Sequence, residues 1–222
     1  GRADSVINQT TVPTVYVVDD DPQVRESLKL LMRGVGLRTE VFGSAEDFLE
    51  AYEDVPGPPR CLVLDVRMPG MSGLGLQEKL VTGGIHIPII LITGYGDVSM
   101  AVKAMAAGAV DFIEKPFSRQ ALLTRVQEAI DRDAERRHRE SQLAGMADRL
   151  GELSQREREV MDLLIAGNHS KQIAAKLRIG EKTVAKHRAR VFEKMHVDSV
   201  AALVHLAYNC DLVSTVAGHA AS

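Results

Sequence analysis

The chain has 222 residues, 45% hydrophobic and 26% charged, with a net charge of −3. This is the balance of an ordinary soluble globular protein, and no apolar run approaches the roughly 20 residues of a membrane span, which excludes a membrane-spanning chain. The charge is unevenly placed: residues 14–118 hold nine Lys/Arg against fifteen Asp/Glu, residues 119–153 seven of each, and residues 154–210 ten against six. An acidic part and a basic part joined by a neutral charged stretch imply two domains with different partners.

Residues 1–13 read as a disordered segment, with no apolar core of a signal peptide. From Thr14 short apolar runs alternate with helical patterns. "TVYVVD" (14–19) reads as a strand, and a helix follows with Pro22 at its start and Val24, Leu28, Leu31, Met32 and Val35 on one face. Then come a strand over 37–42, a helix opened by Ser44 with Asp47 three residues on, and the run "CLVLD" (61–65). "SGLGLQEKL" is a helix, "IPIILIT" (87–93) a strand, "VSMAVKAMAAG" a helix stopped by Gly108, and "AVDFI" (109–113) a fifth strand. Strands alternating with helices predict parallel βαβ units, and nearly all-apolar strands predict a sheet covered on both faces.

From Ser118 to about Arg149 one helical pattern continues without Pro. It turns highly charged over "DRDAERRHRE" and regains apolar residues at Leu143, Met146, Leu150 and Leu153, which fits either a solvated linker helix over 131–152 or a dimer coiled coil. Four short helices follow over 153–210, the first with the capping box Ser154/Glu157, and 211–222 reads as a flexible tail. Cys61 and Cys210 lie in apolar stretches of opposite halves, which predicts buried, reduced thiols and a cytoplasmic protein.

The ends of the parallel strands are where such sheets bind ligands. The first strand ends in Asp19-Asp20-Asp21, the third in Asp65 and the fourth in Thr93, and the fifth is followed by Lys115-Pro116. Crowded carboxylates call for a cation, and hard oxygen donors suit Mg²⁺, with Mn²⁺ as a substitute. Asp65 then reads as a nucleophile that becomes an aspartyl phosphate, with Lys115 and the Thr93 hydroxyl binding phosphoryl oxygens. Nucleotide-binding loops are absent: "GVGLRT" lacks the third glycine of a dinucleotide loop, and no G-x-x-x-x-G-K-[ST] occurs.

In the basic half, a short helix, a turn and the longer helix "TVAKHRARVFEKM" make a helix-turn-helix pattern. Val184, Val191 and Met195 form its buried stripe, leaving Lys182, Ala185, Lys186, Ala189 and Arg190 to face a DNA major groove. Lys171, at the start of the preceding helix, suits a DNA phosphate. His187, His196 and His205 are spaced wrongly for zinc.

"VVDDD", "LDVRMPGMSG", "LITGYGD" and "DFIEKPF" resemble the signature segments of two-component receiver domains, over 14–130. The resemblance implies a doubly wound, flavodoxin-like five-stranded parallel sheet of order 2-1-3-4-5. It implies Asp65 as phosphorylation site, Mg²⁺ on Asp20, Asp65 and the main-chain carbonyl of Arg67, and Asp19 in support. Thr93 and Phe112 would be the switch pair, and the Lys115–Pro116 bond cis. A haloacid-dehalogenase-type phosphatase is the enzyme alternative, but its D-x-D-x-[TV] fails at Pro22 and Gln23. "LSQREREVMDLLIAGNHSKQIAAKLRIGEKTVAKHRARVFEKM" resembles the LuxR-type DNA-binding domain, and the combination resembles the NarL/FixJ class, nearest FixJ-like members. That likeness adds Ser170, Thr183 and His187 to the DNA-facing set. It implies a transcriptional regulator with a partner histidine kinase, double-stranded promoter DNA and a phosphorylated homodimer, and no enzyme beyond the receiver's own phosphoryl chemistry. The last helix, through Ala201, Leu203, Val204 and Ala207, would form the dimer contact. A phosphorelay or interaction module without DNA binding is the alternative.

Overall fold

The computed structural model describes residues 12–94, 98–106, 108–109 and 111–209. The segment before Val12, Cys210 and the tail over 211–222, on which three sequence expectations fall, lie outside the described residues. The chain divides into two units, residues 1–138 and 139–222.

In the first unit the order is β1 (Thr14–Val18), α1 (Pro22–Gly34), β2 (Arg38–Phe42), α2 (Ala45–Ala51), β3 (Arg60–Asp65), α3 (Gly73–Thr82), β4 (Ile89–Thr93), α4 (Val98–Ala106), β5 (Asp111–Glu114) and α5 (Arg119–Glu152), the last running on into the second unit. The five strands form one all-parallel sheet in the order β2-β1-β3-β4-β5. All six residues of β3 are buried, and alternation sends its side chains to opposite faces. Cys61 and Val63 join Leu28 and Met32 of α1 and Leu122, Val126 and Ile130 of α5. Leu62 and Leu64 join Phe48 of α2, Leu76 and Leu80 of α3 and Ala104 of α4. With both faces covered, burial pushes the Cys61 thiol well above its ordinary pKa.

Helix starts follow their caps. Asp21 Oδ1 accepts the Gln23 N–H at 2.8 Å ahead of Pro22, and Ser44 Oγ accepts the Asp47 N–H at 3.0 Å. Val35, counted on the buried face of α1, is instead 54% exposed, because the helix ends at Gly34 and the chain turns away.

The stretch 131–152 is helical throughout α5, and it is exposed over 138–144 but anchored at both ends. Asp133 is fully buried in the first unit: its carboxylate accepts the Arg60 N–H at 2.9 Å, Arg136 Nη2 at 2.6 Å and Arg137 Nε at 2.6 Å. Arg60 in turn donates to Tyr52 Oη and to the Glu53 and Val55 carbonyls. The apolar spacing further on serves the second unit's own core, which buries Met146 and Leu153 with Leu150 against it, while Leu143 is exposed.

The second unit continues with α6 (Gln155–Ile165), α7 (Ser170–Leu177), α8 (Glu181–Met195) and α9 (Val200–Asn209). Its core gathers Val160, Leu164, Ile173, Val184, Val191, Met195 and Leu203. The capping box is formed, and Glu157 is buried while its Oε2 accepts the Ser154 N–H at 2.9 Å and Lys194 Nζ at 2.7 Å. Lys194 and the Ser154 N–H hold the Glu157 carboxyl down at about 2. A depressed folded pKa contributes stability that is present above the ordinary carboxyl range and lost as pH falls through it. The melting-temperature gap between wild type and Glu157→Gln is therefore expected to narrow as pH falls from about 4.5 toward 2. A gap independent of pH in thermal melts would contradict this role.

Candidate functional site

The parallel registers Val18↔Leu64, Asp65↔Ile92 and Thr93↔Glu114 bring the carboxyl ends of four strands to one rim. There Lys115 Nζ donates to Asp65 Oδ1 at 2.9 Å and to Asp19 Oδ2 at 3.3 Å. The remaining carboxylate oxygens take main-chain donors: Asp21 N–H to Asp19 Oδ1 at 2.9 Å, and Arg67 N–H to Asp65 Oδ2 at 2.8 Å. Asp19 and Asp65 are 4% and 7% exposed, so two carboxylates share one ammonium in a nearly closed rim. Burial pushes the Asp19 carboxyl up, with the Asp65 charge adding to it and the Asp21 N–H and Lys115 opposing. Burial pulls Lys115 down, but its bond to Asp65 and the charges of Asp19 and Asp65 outweigh that, so its ammonium stands above the ordinary value.

Thr93 ends β4 with its side chain buried, and its carbonyl accepts the Lys115 N–H at 2.6 Å. The Lys115–Pro116 peptide is cis. Phe112 is half-buried on β5, against the core under α2, α3 and α4. Asp20 is exposed beside Asp19, and Arg67 is exposed just past β3.

In the second unit, α7 ends at Arg178 in the left-handed region (φ 55°), and α8 starts after Gly180. Lys171, Lys182, Thr183, Ala185, Lys186, Ala189 and Arg190 are exposed, while Ser170 and His187 are half-buried. Arg190 Nη1 also lies 3.9 Å from Glu157 Oε1, so this cation is shared with the unit's own interior. On α9 the expected dimer residues divide: Leu203 and Ala207 are buried in the unit's own core, Val204 is half-buried and Ala201 is exposed.

Residues 15–127 match the response regulator receiver domain family, and residues 151–207 match the bacterial regulatory proteins of the luxR family. The chain belongs to the response regulators. It joins a receiver to a LuxR-type DNA-binding domain. Nodulation protein W of Bradyrhizobium diazoefficiens is 46% identical, over 89% of this chain and 86% of its own length. The transcriptional regulatory protein FixJ of Azorhizobium caulinodans is 44% identical, over 87% and 90%. The solved structure of the response regulator StyR is 45% identical, with a TM-score of 0.83 over 89% of this chain and 99% of that one.

Two residues of the receiver rim carry no clear sequence signal. Arg25, one turn into α1, donates to the Asp19 main-chain carbonyl at 2.6 Å and braces the acidic turn. Gly73, which reads only as a helix start after Ser72, sits against the end of β3: a Cβ there would overlap the Asp65 carbonyl oxygen and lie 3.0 Å from Val66 Cα. Gly73→Ala must push α3 off β3, so a loss of about 1–3 kcal/mol is expected in urea denaturation. A stability equal to wild type would mean that α3 yields freely.

Proposed function

We propose that Asp65 accepts a phosphoryl group from a histidine kinase and that this controls promoter binding by the LuxR-type domain. The observation that carries the reading is the buried Asp65 carboxylate at the end of β3, 2.9 Å from Lys115 Nζ. Asp65 is the nucleophile, and Lys115 and Thr93 bind the phosphoryl oxygens. Asp19 supports the rim, and Thr93 with Phe112 carries the change outward.

The rim fits Mg²⁺, or Mn²⁺ in its place. Mg²⁺ takes one or two carboxylates and keeps several waters. Asp20, Asp65 and the Arg67 main-chain carbonyl would hold it, beside two carboxylates that a single lysine leaves under-neutralised. When bound, it would neutralise the phosphoryl oxygens as the donor approaches. The only chemistry in this reading is the receiver's own phosphorylation and dephosphorylation.

The receiver would span 14–130 and the DNA-binding domain 153–210, joined through α5. Ser170, Lys171, Lys182, Thr183 and His187 would meet DNA phosphates or brace α8, and Ala185, Lys186, Ala189 and Arg190 would face base edges. Phosphorylation would favour a homodimer on paired half-sites in the cytoplasm.

The test is intact-mass analysis after acetyl phosphate, with Mg²⁺ and with a chelator, alongside DNA retention of the same samples at two salt concentrations. One phosphoryl group only with Mg²⁺, and tighter DNA binding that weakens steeply with salt, is the expected result. Labelling that leaves DNA retention unchanged would favour a relay module. No labelling would overturn the reading.

A further inference from the structure

Glu46, in the first turn of α2, reaches the loop that leaves the acceptor strand. Its Oε1 accepts the Met71 N–H at 3.1 Å, from 25 residues away in sequence. A Cβ placed on Gly70, where φ is 75°, would lie 3.2 Å from the same oxygen, so the carboxylate packs directly on the loop backbone. The base of this contact is firm. Ser44 caps α2, and Ala45 and Phe48 on either side of Glu46 are fully buried.

The loop is tied at its other end as well, by the Arg67 N–H to Asp65 Oδ2 at 2.8 Å and the Gly73 N–H to the Val66 carbonyl at 3.0 Å. Arg67 is itself one of these ties, and Glu46 holds the far limb of the same closed loop at Met71. A main-chain carbonyl has no net charge to draw it toward a cation, so its use as a ligand depends on a loop already held in place. Groups outside the ligand set that do this holding commonly govern metal affinity.

We infer that Glu46 is a positioning residue of the metal site, acting through the Met71 N–H on the loop that carries the Arg67 carbonyl. This rests on the reading of Asp20, Asp65 and Arg67 as the ligands. The action is that of a hydrogen-bond acceptor and not of a charge. Glutamine keeps an acceptor oxygen at the same reach, whereas alanine has none.

The experiment is titration with Mn²⁺ alone, free metal being read by electron paramagnetic resonance, with no phosphoryl donor present. It uses the full chain as wild type, Glu46→Ala, Glu46→Gln and Asp20→Asn, with metal-free melting temperatures beside it. Glu46→Ala is expected to weaken Mn²⁺ binding up to about tenfold and Glu46→Gln to stay within about twofold of wild type. This is the low end of the scale for groups bonded directly to ligands, because Glu46 acts through the loop. A merely structural role would lower the melting temperature of Glu46→Ala and leave its Mn²⁺ affinity alone. That result, or a Glu46→Gln as weak as Glu46→Ala, overturns the inference. If Asp20→Asn abolishes binding while Glu46→Ala does not weaken it, the inference fails and the ligand reading stands. A wild-type chain that binds no Mn²⁺ overturns both.

Discussion

Asp65→Asn takes up no phosphoryl group from acetyl phosphate and Mg²⁺ in the expected result, and its DNA retention does not respond to the donor. Asparagine matches aspartate in shape and still offers Oδ1 to Lys115 Nζ, the partner now 2.9 Å from Asp65. It is no nucleophile, and its amide nitrogen would meet the Arg67 N–H, donor against donor, where Asp65 Oδ2 now accepts at 2.8 Å. The substitution also removes one of two buried carboxylates that share a single ammonium. Relief of that crowding opposes the donor clash at Arg67, so the melting temperature is expected to stay close to that of wild type. Lost labelling at an unchanged melt would report lost chemistry and not lost fold. Intact-mass analysis beside a thermal melt decides the matter. A phosphoryl group that still appears in Asp65→Asn would move the acceptor elsewhere.

Asp133→Ala is expected to cost about 3–5 kcal/mol in the unfolding of the receiver, the scale for breaking a buried ion pair from one side. The substitution leaves the Arg60 N–H at the head of β3 without its acceptor, and the Arg136 and Arg137 guanidiniums without their shared anion. Asp133→Asn restores an acceptor oxygen without the charge and should recover part of the loss. Urea denaturation followed by circular dichroism measures both. A loss under about 1 kcal/mol would mean that the arginines swing to solvent freely, as exposed pairs do.

Much of the receiver is legible in the residue pattern because burial on both faces leaves little choice. Strands such as Cys61–Leu64 must be apolar throughout, so a carboxylate that ends one stands out, and Asp65 lies where such a residue should. The caps at Ser44 and Ser154 were equally readable, since each needs only its own neighbouring N–H. What escaped depends on distant chain. Asp133 sits in "DRDAERR", where its pairing with residues three and four ahead is written plainly, but its burial is set by Arg60, 73 residues away in sequence. Met146 and Leu150 carried a real apolar spacing whose partner was undetermined, because a helix stripe looks the same facing a second copy or its own domain. Gly73 gave no sign, since a missing side chain tells nothing of the backbone that needs the space.

The placing of β2 and β5 at the two edges of the sheet has a consequence for how copies of this chain meet. An open strand edge is a template on which another chain can zip, and proteins blunt such edges with charge and brevity. On β2 the Arg38–Glu40 pair, at 2.8 Å, stands along the edge strand, and β5 is only four residues long with Asp111 and Glu114 at its ends. Neither edge favours runaway sheet extension. A charged, short edge is a poor template for pairing strand to strand, and this disfavours fibrous assembly through the sheet.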